Sequence, residues 1–209
     1  MSRLLALLLL AGSLLLLLCA ALHPVLPLDA ADDLAMIAVM PHWQLIHLGL
    51  LHATGLIVAG VWFRWLTAAP EERPGLAGAF AVLGIGLALN GVNIAYMTGA
   101  GTQFASLQAS GTDVLAVYGA THAGAIMAGR LAGFLVSIAA GLIALSTWST
   151  AEEPRWLSGI AALACAAGLV GNFLATPGHP LMLTSVGVMA VWQVGTAVRG
   201  LRRPLAVGR

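Results

Sequence analysis

Six apolar blocks, at about 4–22, 43–66, 76–98, 116–146, 156–175 and 181–199, dominate the chain and leave little room for any other architecture. A helix needs about 20 predominantly apolar residues to cross roughly 30 Å of hydrocarbon, and each block is close to or above that length. The breaks carry residues that end helices: His23-Pro24 with Pro27 and Asp29, then Pro70-Glu71-Glu72-Arg73-Pro74, Gly111-Thr112-Asp113, Glu152-Glu153-Pro154 and Pro177-Gly178-His179-Pro180. The expected fold is therefore all-α, a six-transmembrane-helix bundle forming one integral membrane domain over residues 1–209. Composition agrees: 60% hydrophobic and 8% charged, against roughly 45–50% and about 25% in a soluble domain. A water-soluble globule is excluded.

The first block also has features of a signal peptide, Met-Ser-Arg followed by a Leu-rich run and Cys19-Ala20-Ala21. Its apolar run is longer than a signal core, so a retained helix is expected. Two cysteines inside apolar blocks offer neither a disulfide framework nor a cysteine metal site. With a net charge of +1 and no basic run beyond Arg202-Arg203, nothing points to nucleic acid.

All nine basic residues are arginine. Arg3, Arg64, Arg73, Arg155, Arg199, Arg202, Arg203 and Arg209 fall at the N-terminus, in the second and fourth connections, and at the C-terminus, which six spans place on one side. Cytoplasmic segments are enriched in basic residues, so both termini are expected inside, in an inner membrane of bacterial type. The opposite face receives Asp29, Asp32, Asp33 and Asp113.

On this topology all six histidines belong to the outer half or the outer loops. At 1.5 Å per residue His47 lies about 7 Å and His52 about 15 Å inside the second span. His122 is similarly shallow on the fourth, and Asn90, Asn93, Tyr96 and Asn172 come up to the same level. Several uncharged donors at one depth imply a shared outer-leaflet pocket, reached by small apolar molecules from the lipid. Trp43 and His47 share a helix face, whereas His47 and His52 diverge by about 140°. Arg130, about 12 Å deeper than His122, has no carboxylate in any span to pair with. An acidic cofactor group, such as a haem propionate, would neutralise it, while Gly129 and Gly133 would permit close helix or subunit approach.

The scarcity of carboxylates disfavours an ion-coupled transporter, and no nucleophile motif supports a serine hydrolase. Haem b needs only one or two neutral imidazoles, an apolar slot and a few polar tips. The candidate cofactor-binding residues are thus His47, Trp43, His52, His122, Asn90 and Arg130. A copper or zinc site built from the outer histidines and a non-enzymatic accessory subunit are the alternatives.

Trp43-x3-His47-x-Gly49, followed by Asn90-Gly91-x-Asn93-x2-Tyr96, resembles the pattern of the styrene oxide isomerase family of membrane haem b enzymes, over about residues 43–145. The resemblance implies that His47 is the axial haem ligand, that Asn93 or Tyr96 touches the substrate, and that the iron opens an epoxide as a Lewis acid. The asparagine that follows the family's histidine is absent here, where His52, Ala53 and Thr54 stand.

Overall fold

The computed structural model describes residues 3–25, 27, 29–66, 73–150, 153–174 and 180–202, the side chains of 180–185 excepted. The expectations for His179, Glu71, Glu72, Glu152, Arg203 and Arg209 lie outside these. The described residues are helical, without strands: α1 Arg3–Leu22, α2 Ala30–Val39, α3 Trp43–Leu66, α4 Pro74–Tyr96, α5 Thr102–Ala109, α6 Leu115–Thr147, α7 Arg155–Leu174 and α8 Pro180–Arg202. Met97–Gly101 is a π-type turn that joins α4 to α5 without a break. Among the described residues, five helical stretches are long and apolar enough to cross a membrane, namely Arg3–Leu22, Trp43–Leu66, Pro74–Ala109, Leu115–Thr147 and Arg155–Leu174.

The second block matches α3 over its whole length. The third, expected over 76–98, continues through the π-type turn to Ala109, because the first residues that stop a helix are Ser110 and Gly111, the latter at φ 87°. The unforeseen element is α2. Asp29 caps it, its carboxylate accepting from the Ala31 and Asp32 amides at 2.8 and 3.2 Å, and Asp32 in the first turn favours the positive end of the helix dipole. His42, at φ 69°, then turns the chain sharply into α3.

The six long helices share one core that includes Leu9 and Leu16 of α1, Ile57 of α3, Leu83 of α4, Ile143 of α6, Leu157 of α7 and Met189 of α8. A second, smaller core lies at one end, where Leu34 and Ile37 of α2 cover Trp43, Met97, Ala105 and Tyr118. In this structure α1 is an integral part of the bundle, packed on α3 and α8.

Helices gain no hydrophobic driving force against one another in lipid, so close approach and interhelical hydrogen bonds hold them. Ser13 of α1, fully buried, donates to Gln193 Oε1 of α8 at 2.8 Å. Ser13→Ala removes this cross-bundle bond and is expected to cost about 0.6 kcal/mol and at most about 1.7 kcal/mol, the range for such bonds in membranes. Thermal unfolding in detergent reads this as a Tm lower by a few degrees. An unchanged Tm would mean that Ser13 does not tie α1 to α8.

Candidate functional site

The six long helices line a cavity of about 240 Å³, to which His23, Pro24 and Val25 also contribute. Its wall is mostly aliphatic, from Leu16, Leu50, Ile57, Leu87 and Val136 among others. Five polar side chains besides His23 face it: His47, Asn90, Asn93, Asn172 and Gln193. Two glycines of α6 make room for the amides. A Cβ on Gly129 would stand 2.9 Å from Asn93 Nδ2, and one on Gly133 would stand 3.0 Å from Asn172 Nδ2. The small-residue pair expected to serve helix or subunit approach therefore accommodates two asparagines. Asn172 donates to the Gly168 carbonyl at 2.8 Å, while its buried Oδ1 has no partner among the described residues.

On its wall two imidazoles meet. His23 Nε2 and His47 Nε2 are 3.1 Å apart. The other nitrogen of each ring is held by a backbone carbonyl: His23 Nδ1 by Pro24 at 2.7 Å, His47 Nδ1 by Trp43 at 3.0 Å. A carbonyl only accepts, so each Nδ1 carries the hydrogen, and a neutral ring then has a lone pair on Nε2. Two lone pairs facing each other at this distance repel. A cation between them, a shared proton or a metal ion, would relieve that repulsion. Trp43, buried, backs the pair, its ring 4.0 Å from the His47 ring and 5.8 Å from the His23 ring, centroid to centroid. Its indole donates to the Met97 carbonyl at 3.4 Å. Burial pushes His23 below the ordinary imidazole range, against the opposing pull of the Pro24 carbonyl and, when it is ionised, of Asp33. Burial thus favours the unprotonated form of His23.

Of the residues singled out from the sequence, His47, Asn90 and Asn93 line the cavity, and Trp43 stands directly behind His47. The remaining four do not line it. His52 is exposed, its Nδ1 donating to the Leu48 carbonyl of its own helix at 2.6 Å. Tyr96 pairs with Thr121 Oγ1 at 2.6 Å. His122 is buried against Tyr118 and Asp33 beneath α2. Arg130 is half-buried on α6, where its neighbour Gly129, rather than Arg130, faces the cavity. His23 and Gln193 were missed. A histidine beside a proline reads as part of a break, and its approach to His47, 24 residues on, is a tertiary event. Gln193 carried a legible signal, an uncharged polar residue within an apolar span.

The histidine pair does not fit haem as a pair of axial ligands. At metal–nitrogen distances of about 2.0–2.1 Å, trans ligands stand about 4.1 Å apart, tetrahedral ones about 3.3 Å and cis ones about 2.9 Å. The observed 3.1 Å lies between the last two. The cavity volume, about 240 Å³, also lies below the roughly 300–1,000 Å³ of pockets for drug-sized ligands. A group of three or more histidine, cysteine or carboxylate side chains placed to hold a metal does not occur among the described residues. Any ion at the pair would complete its shell from water, an asparagine amide oxygen or a ligand in the cavity. The chain matches no family model, no curated protein and no solved structure.

Proposed function

We propose that this chain is a multi-pass membrane protein that binds one copper or zinc ion between His23 and His47, on the wall of an intramembrane cavity sized for a small, largely apolar molecule. The observation that carries this reading is the pair of Nε2 atoms 3.1 Å apart, each ring oriented by a carbonyl on its Nδ1. Metal-binding histidines are characteristically fixed in this way, through the ring nitrogen that does not touch the metal. Imidazole suits copper and zinc among the first-row ions. With only two protein imidazoles, open coordination positions face the cavity. A small oxygen-bearing molecule there would be polarised by the metal as a Lewis acid, with the Asn90 and Asn93 amides as hydrogen-bond partners.

The reading includes six spans with both termini on the cytoplasmic side of a bacterial-type inner membrane. Its support is that Arg64, Arg73, Glu153 and Arg199 line one small depression, which gathers the ends of α3 and α8 with the starts of α4 and α7. The histidine pair and α2 would then lie at the opposite, outer end.

Titration of metal-free protein in detergent with Cu²⁺ or Zn²⁺ tests the site. Saturation at one ion per chain is expected, with nitrogen hyperfine structure from two imidazoles in the Cu²⁺ resonance spectrum. Affinity is expected to fall on acidification, because protons compete for the same nitrogens. A protein that takes up no metal but shows a Soret band after expression with ample haem would return His47 to the role of a single axial ligand. Neither metal nor haem would leave an accessory role.

A further inference from the structure

A buried carboxylate lies in the outer cap, away from the histidine pair. Asp33 of α2 is 0% exposed. Two groups of α6 converge on its Oδ2: the Tyr118 hydroxyl, which donates to it, and His122 Nε2 at 3.5 Å. Tyr118, itself fully buried, stacks on His122 with centroids 5.0 Å apart and 18° between the planes, and its oxygen is 3.4 Å from His122 Nδ1. Asp33 Oδ1 has no hydrogen-bond partner among the described residues.

An ionised carboxylate accepts through both oxygens and is costly to bury with one of them bare. A neutral carboxyl group lowers that cost. A static ion pair with a charged His122 would instead engage only one oxygen, at 3.5 Å, beyond charge-assisted hydrogen-bond length. We propose that Asp33, Tyr118 and His122 form a proton-binding site, in which Asp33 holds the proton as a carboxylic acid and, on releasing it to the outer solution, leaves a carboxylate held by the Tyr118 hydroxyl and His122. The ligand of this site is a proton, and no metal is needed for it. Burial holds Asp33 above the usual carboxylate range, and Tyr118, His122 and His23 pull the other way. The titratable groups around it are Tyr118 and His122 from α6, His23 from the segment after α1, and Tyr96 from α4. Because Asp33 ties α2 to Tyr118 and His122 of α6, the proton also sets how α2 is fastened to the bundle. The chain thereby has the exchangeable intramembrane-edge proton that its carboxylate-free spans seemed to deny it.

Infrared spectra of the purified protein at a series of pH values test this. A carboxylic-acid C=O band is expected at neutral pH, lost as pH rises, shifted by ¹³C-aspartate labelling and absent from Asp33→Asn. In Tyr118→Phe the band should change frequency and titrate at higher pH, since a donor to the ionised form is gone. If Asp33→Asn fails to fold, labelled protein carrying Asp29→Asn, Asp32→Asn and Asp113→Asn must retain the band, Asp33 then being its one aspartate. No protonated aspartate band at neutral pH, or a labelled band that survives in Asp33→Asn, would overturn the proposal.

Discussion

His47→Ala protein is expected to bind Cu²⁺ or Zn²⁺ at least about 100-fold more weakly than the parent, since loss of a mere outer-shell partner already costs roughly 10–100-fold. The substitution removes one of two imidazoles and leaves His23 as a single monodentate ligand beside an aliphatic wall. His23→Ala should do the same, although the two residues lie on different elements 24 positions apart. His52→Ala should leave affinity unchanged, because His52 is exposed and occupied with the Leu48 carbonyl. His122→Ala should likewise spare it, His122 being engaged with Asp33 and Tyr118. Calorimetric titration of the four variants reads the pattern. Equal losses in all four would indicate adventitious surface binding, and retention of full affinity in His47→Ala would remove the pair from the site.

The largest stability effect is expected from Gly12→Leu, at the crossing of α1 and α3. A Cβ at Gly12 would stand 2.8 Å from Ile57 Cγ1 and 2.9 Å from the Ala53 carbonyl oxygen. The second of these is helix backbone, which cannot rotate away, so α1 must lift off α3. Overpacking of this kind costs about 1–3 kcal/mol, and displacement of α1 would also break the adjacent Ser13–Gln193 bond. For a chain of this size each kcal/mol lowers Tm by roughly 2–4 °C, so a fall of about 5–10 °C is expected in detergent. Gly55→Leu, on α3 where a Cβ meets nothing within 4 Å, serves as the control and should stay within about 0.5 kcal/mol of the parent. Equal melting of the two variants would mean that α1 does not pack on α3 through Gly12.

The bundle's helices were legible because each apolar block must satisfy its own backbone hydrogen bonds in lipid, which makes the helix a local consequence of the run. The ends were legible where proline, glycine or aspartate stops the helix. The short helix α2 was overlooked although it has a local signature, Asp29 followed by Asp32 and Asp33, because so short an element is eclipsed by the long apolar runs around it. His47, Asn90 and Asn93 share one depth along their helices, and they line one cavity. Depth alone also gathered His52 and His122, which share that level but not that wall. Rotation about a helix axis separates side chains at one height, and the rotation is set by packing.

What the amino-acid sequence determined alone is the all-helical character of the chain and its apolar, membrane-type helices, since both follow from composition and run length. What the tertiary structure decided is which polar groups meet. The His23–His47 pair spans 24 residues, Ser13–Gln193 spans 180, and Asp33–Tyr118 spans 85. No periodicity within a segment encodes such contacts. They arise because a polar group buried away from water needs a partner, and where its own helix does not supply one, the geometry of helix packing decides which partner is within reach.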